Sequence, residues 1–87
     1  MAMKHFAFFY LMQDQSDRIR ETVPSHIAYW KELKLAGYRG GPFSDRTGGL
    51  IVFLAESVDD AAAVVRGDPF VETGLLAEMW MKELMPE

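Results

Sequence analysis

The stretch "YRGGPFSDRTGGLIVFLAE", Tyr38 to Glu56, decides the fold. Its first part, "YRGGPF", is a short strand interrupted by Gly40, Gly41 and Pro42. Pro42 has no N–H to give to a ladder, so this strand is short, bent or at a sheet edge. "SDRTGG" is a turn, and "LIVFLAE", residues 50–56, is a strand with two apolar faces. Two successive strands lie between segments of helical character on either side.

Upstream, "KHFAFFYLM", residues 4–12, sets Phe6, Phe8, Tyr10 and Met12 against Ala7, Phe9 and Leu11. Both alternating sets are apolar, the mark of a strand buried on two faces. "QDQSDRIRET" reads as a polar connection, followed by a helix from near Thr22 or Val23. Pro24 then falls in the first turn, where its missing N–H costs nothing, and Gly37 stands where a left-handed terminator belongs. Downstream, Ser57 is a good N-cap with Asp60 three residues on, and Val58, Ala61, Ala62 and Val65 keep helical spacing to Gly67. "LLAEMWMKEL" closes the chain as a strand, with Leu76, Glu78, Trp80 and Lys82 on one side and Ala77, Met79, Met81 and Glu83 on the other.

The order β-α-β-β-α-β is an α+β, ferredoxin-like arrangement in one domain, 1–87. Right-handed crossovers put both helices on one face of a four-stranded antiparallel sheet. The first and third strands, free of internal charge, take the centre, and the Gly/Pro-broken and charge-bearing strands take the edges. Two helices cover only one face, yet both faces of the central strands are apolar. A homodimer packed through the open sheet face would hide that surface.

Composition narrows the function. There is no cysteine, which excludes disulfides, thiolate metal sites and cysteine nucleophiles. The net charge is −4 with the acids dispersed, and no basic stripe marks a nucleic-acid partner. No apolar run is long enough for a membrane helix. The N-terminus reads as a strand rather than a signal peptide, and the absence of cysteine fits the expectation of a cytoplasmic location.

Of the two histidines, His5 reads as a strand-end residue, and His26 borders the apolar stripe of Tyr29, Trp30 and Leu33. Read near a helix start, His26 is either a core-edge side chain satisfied by a backbone carbonyl or a general base. Asp68 in "GDPF" is equally double. It is an N-cap followed by Pro at N1, or a carboxylate that orients His26. In this topology the helix-one start and the segment before the last strand lie at one end of neighbouring strands. Spacing alone leaves both readings open. Without Cys, two histidines do not make a structural zinc site.

Together "VPSHIAYWKELKLAG", "GGPF" and "FLAESVDDAAAVVRGDPFVETGL" resemble the YCII-related (YciI-like) family, a branch of the dimeric α/β-barrel superfamily. The resemblance covers nearly the whole chain in order. It implies a His26–Asp68 active-site dyad and a cofactor-free enzyme of lyase, isomerase or dehydrochlorinase type. Family relatives include a dehydrochlorinase of chlorinated hydroxyhydroquinones, and the wider superfamily includes muconolactone isomerases. The substrate implied is a small cyclic or aromatic metabolite, in a cleft bounded by Gly41, Pro42, Phe70 and Tyr29. The alternative is a non-catalytic homodimer that binds a small ligand and keeps a structural His–Asp bond. One departure stands out: many members carry Arg immediately before the Pro, and here that residue is Val23. Arg18, Arg20 and Arg39 are either replacements for that Arg or, the reading preferred for each, solvated surface charges.

Overall fold

The computed structural model describes residues 2–87, and Met1 of the expected 1–87 domain lies outside them. The chain runs β1 (Lys4–Met12), α1 (Ser16–Leu33), β2 (Arg39–Pro42), β3 (Gly48–Ala55), α2 (Val58–Arg66), a short α3 (Pro69–Glu72) and β4 (Leu76–Leu84). The sheet order is β2-β3-β1-β4, all neighbours antiparallel, with the two strands free of internal charge at the centre as expected. Among the described residues no helix is long and apolar enough to cross a membrane.

The alternation of β1 decides what packs where. Phe6 and Phe8 are fully buried and Tyr10 nearly so, facing Phe53 and Ile51 of β3. The helices cover this face: Trp30 of α1 stacks on Phe8 at 6.2 Å and meets Phe53 at 5.4 Å, and Ala61 and Val65 of α2 complete the layer. Gly48 is required at the start of β3, because a Cβ there would collide with the Tyr10 carbonyl. On the other face, Leu50, Phe9 and Trp80 form one row across three strands, with Phe9 and Trp80 parallel at 4.7 Å. Phe43 adds to the row at 5.5 Å from Phe9, while Trp80 remains 48% exposed. Among the described residues no helix covers this surface.

Helix α1 departs from the sequence reading. It begins at Ser16 rather than near Thr22 or Val23, so "QDQSDRIRET" is mostly helix and Pro24 lies inside it. The Pro removes the bond that residue 24 would donate to the Arg20 carbonyl. The helix continues because Ile19 and Val23 extend the apolar stripe of Trp30 and Leu33 back over the core. The far end also differs. Lys34, left-handed at φ 51°, caps the helix after Leu33, and Gly37 takes its positive φ of 65° in the following loop. At the second helix the expectation holds: the Ser57 hydroxyl accepts from the Asp60 N–H at 3.1 Å.

Candidate active site

Asp68 is fully buried and is the only buried charged residue among those described. Its Oδ1 accepts from the Phe70 N–H at 2.8 Å, which makes it the N-cap of α3 with Pro69 behind it. The same oxygen accepts from His26 Nδ1 at 2.9 Å, and Oδ2 accepts from Trp30 Nε1 at 2.8 Å. The two readings of Asp68 therefore coexist in one carboxylate. His26 and Trp30 are four residues apart, one above the other on a helix face, which is why both reach it.

His26 sits in the middle of α1, not in its first turn, so the helix N-terminus does not act on it. With Nδ1 given to the carboxylate, Nδ1 carries the hydrogen and Nε2 presents a lone pair. The Phe70 ring lies against the imidazole at 4.1 Å and 17°. Tyr10 meets its edge at 5.9 Å. Asp68 and Phe70, from one short turn, thus fix both the tautomer and the plane of the ring. The His26 side chain keeps 12% exposure, and the open edge faces a cleft.

That cleft is about 460 Å³, within the range of small-molecule sites. Gly41, Pro42 and Phe70 line it together with His26, whereas Tyr29 does not. Tyr29 turns toward α2 and donates to the Val64 carbonyl at 2.7 Å. Burial, and then the charges of Asp68 and Glu72, raise its ionisation above the ordinary phenol value. Val23 presents an apolar wall. Arg18, Arg20 and Arg39 do not line the cleft. Arg18 is held by Gln15 and the Thr73 carbonyl, Arg20 pairs with Asp17 at 3.4 Å on the surface, and Arg39 is exposed on β2. The cations that do line it are Lys31 and Arg46, and neither makes a salt bridge among the described residues. Lys31 is one residue past Trp30 on α1, and Arg46 comes from the turn read only as "SDRTGG". Among the described residues no group of three or more carboxylates and histidines could hold a metal ion.

Tyr10 also lines the cleft and is held protonated, its pKa raised to about 12 by burial first, then by the Asp68 charge and by Tyr38. In the unfolded chain it ionises near the ordinary 10.0. Its contribution to stability is therefore complete below pH 10 and is lost as the pH climbs through 12. That interval corresponds to roughly 2–3 kcal/mol. Urea-unfolding free energies measured from pH 9 to 12 should fall by about that much more in the wild type than in Tyr10→Phe. Parallel curves for the two proteins would contradict it.

Comparison with known proteins gives the family and the fold. The YCII-related domain is matched over residues 3–85. The chain belongs to the YCII-related family. Over 53 residues it is 46% identical to the uncharacterized protein YjpA of Bacillus subtilis, a match spanning 61% of this chain and 56% of YjpA. In structure, this YCII-related chain is similar to 5-chloro-2-hydroxyhydroquinone dehydrochlorinase (TftG) of Burkholderia phenoliruptrix, solved in complex with 2,5-dihydroxybenzoquinone. The TM-score is 0.82 at 27% identity, covering 93% of each chain. A dimeric ferredoxin-like protein of unknown function from Thermobifida fusca shares the fold at TM-score 0.57 and 12% identity, covering 94% of this chain and 89% of that one.

Proposed function

We propose that the protein is a cofactor-free enzyme that moves a proton on a small ring compound, with His26 as general base or acid and Asp68 holding it. The observation that carries this reading is the 2.9 Å contact between His26 Nδ1 and a fully buried carboxylate. It leaves Nε2 facing a cleft of substrate size. A carboxylate so placed favours the imidazolium that forms when Nε2 takes a proton. Gly41, Pro42 and Phe70 form the substrate's walls, and Tyr29 keeps the helices in place.

Similarity to TftG supports elimination of HCl as the reaction class. Tautomerisation of a chlorinated hydroxyhydroquinone puts a hydrogen on the chlorine-bearing carbon. Removal of a hydroxyl proton then makes a carbonyl while chloride leaves with the C–Cl electron pair. The net loss is H⁺ and Cl⁻, so no oxidant is consumed. The direct test is chloride release from 5-chloro-2-hydroxyhydroquinone, followed with an ion-selective electrode. Release above the spontaneous rate supports the reading. A wild-type protein that adds nothing to that rate removes the dehydrochlorinase assignment.

The non-catalytic alternative has one observation in its favour, the bonds Asp68 accepts from Trp30 and Phe70, which serve the fold whatever His26 does. Variants at His26 separate the two.

The working unit is a homodimer joined through the open sheet face, in the cytoplasm. The row of Leu50, Phe9 and Trp80 supports the dimer, since burying a large aromatic contributes about 1.5–3 kcal/mol. Because a two-fold axis presents the same patch from both sides, each substitution counts twice. Trp80→Asp should therefore shift the mass in sedimentation equilibrium from dimer to monomer at micromolar concentration. A Trp80→Asp protein that stays dimeric would place the interface elsewhere.

A further inference from the structure

We infer that Tyr10 is a substrate-binding residue whose phenol O–H donates to a ring oxygen of the ligand, and that the ligand is an oxygenated ring bearing negative charge. The inference deepens the proton-transfer reading above and rests on its placing of the substrate in the cleft.

The Tyr10 ring belongs to the core, in contact with Phe8, His26 and Phe70, and the residue is only 4% exposed. A buried hydroxyl normally finds a partner. This one makes no hydrogen bond to any described residue, yet no sealed side-chain nitrogen or oxygen among them lacks a partner. The Tyr10 oxygen is therefore open, and the cleft it lines is the space it opens into. The sequence keeps that space free, because a Cβ at Gly49 would overlap the Tyr10 hydroxyl. A residue that served only to fill the core would do as well as phenylalanine, with no room reserved for an oxygen.

The charge of the ligand follows from what surrounds the hydroxyl. Lys31 and Arg46 line the same cleft without a salt bridge, while Asp68 is sealed behind His26 and Phe70. An incoming molecule meets two cations and an O–H donor against apolar walls such as Val23 and Ile51. When His26 takes a proton from a hydroxylated ring, the negative charge left behind spreads onto the ring oxygens. A donor fixed in a water-poor site stabilises that charge most where it develops. A hydroxyquinone or phenolate matches this arrangement.

The test uses 2,5-dihydroxybenzoquinone as the acidic probe and 2,5-dimethoxybenzoquinone as its uncharged analogue, titrated by difference absorbance. The wild type should bind the acidic probe in preference to the methylated one. Tyr10→Phe, with an unchanged circular-dichroism spectrum, should raise its Kd by about 10- to 100-fold, as loss of a hydrogen bond to a charged group does. Equal Kd values for wild type and Tyr10→Phe would overturn the assignment of Tyr10. A wild type that binds neither probe, or both alike, would overturn the ligand class. The two proposals fail separately. If His26→Asn retains full chloride release while Tyr10→Phe loses the probe, the base is wrong and the oxygen donor stands. If His26→Asn is inactive while Tyr10→Phe binds the probe as tightly as the wild type, the base stands and the donor falls.

Discussion

Asp68→Ala is expected to destabilise the protein by about 3–5 kcal/mol, the largest loss from any single polar substitution in this fold. Three donors converge on this side chain, and each loses something different. The Phe70 N–H loses its cap acceptor, worth about 1 kcal/mol. Trp30 Nε1, on a residue only 1% exposed, is left buried without an acceptor, which costs about 1–3 kcal/mol. His26 loses the contact that orients its ring. Urea-unfolding midpoints measure the sum, and a double-mutant cycle with Trp30→Phe isolates the indole share. Asp68→Ala alone should cost more than Asp68→Ala adds in a Trp30→Phe background, because there no stranded N–H remains. Additive losses would mean that the indole bond is not what makes Asp68 necessary. Asp68→Asn is milder, since its oxygen can still serve Trp30 Nε1, but its amide must then face the Phe70 N–H and His26 Nδ1.

How far the sequence went in showing this site depends on which contact is asked about. The strands were legible because β1 and β3 alternate with period two and carry no internal charge, so only one sheet order hides them. Asp68 was legible as a cap because "DPF" is a local signal, and as a partner of His26 only because topology and resemblance brought the two together. The start of α1 was misread because Pro24 is a strong local breaker, whereas the stripe of Ile19, Val23 and Trp30 acts through the core. That misreading put His26 near a helix start rather than in the middle of α1. Trp30 was read as core, although its spacing of four from His26 could have revealed a second donor to Asp68. Tyr10 was visible as one of the buried set of β1, but an open hydroxyl has no sequence signature. Lys31 and Arg46 were missed for a further reason. Whether a cation faces a cleft or water is decided by side-chain direction on a helix and by one left-handed turn residue, φ 66° at Arg46.

The second large effect concerns His26. His26→Ala and His26→Asn should each lower chloride release by about 10²–10⁴-fold, the usual contribution of a positioned general base. The pair is chosen because the two side chains fail differently. Alanine removes both the base and the ring that stacks on Phe70, so a loss of activity could come from a loosened α3 turn. Asparagine offers its amide N–H to Asp68 in place of Nδ1–H, so the buried carboxylate keeps its three donors. It supplies no lone pair of useful basicity at the position of Nε2. A folded, inactive His26→Asn therefore attributes the loss to chemistry rather than to packing. Asp68→Asn gives the complementary view, because its amide can donate to Nδ1 and drive the hydrogen to Nε2, the wrong nitrogen for a base. Nitrogen-15 spectra of the imidazole should show hydrogen on Nδ1 in the wild type and on Nε2 in that variant, together with a comparable loss of turnover. If His26→Asn releases chloride at the wild-type rate, the pair exists for the fold, and the cleft binds its ligand without transforming it at His26.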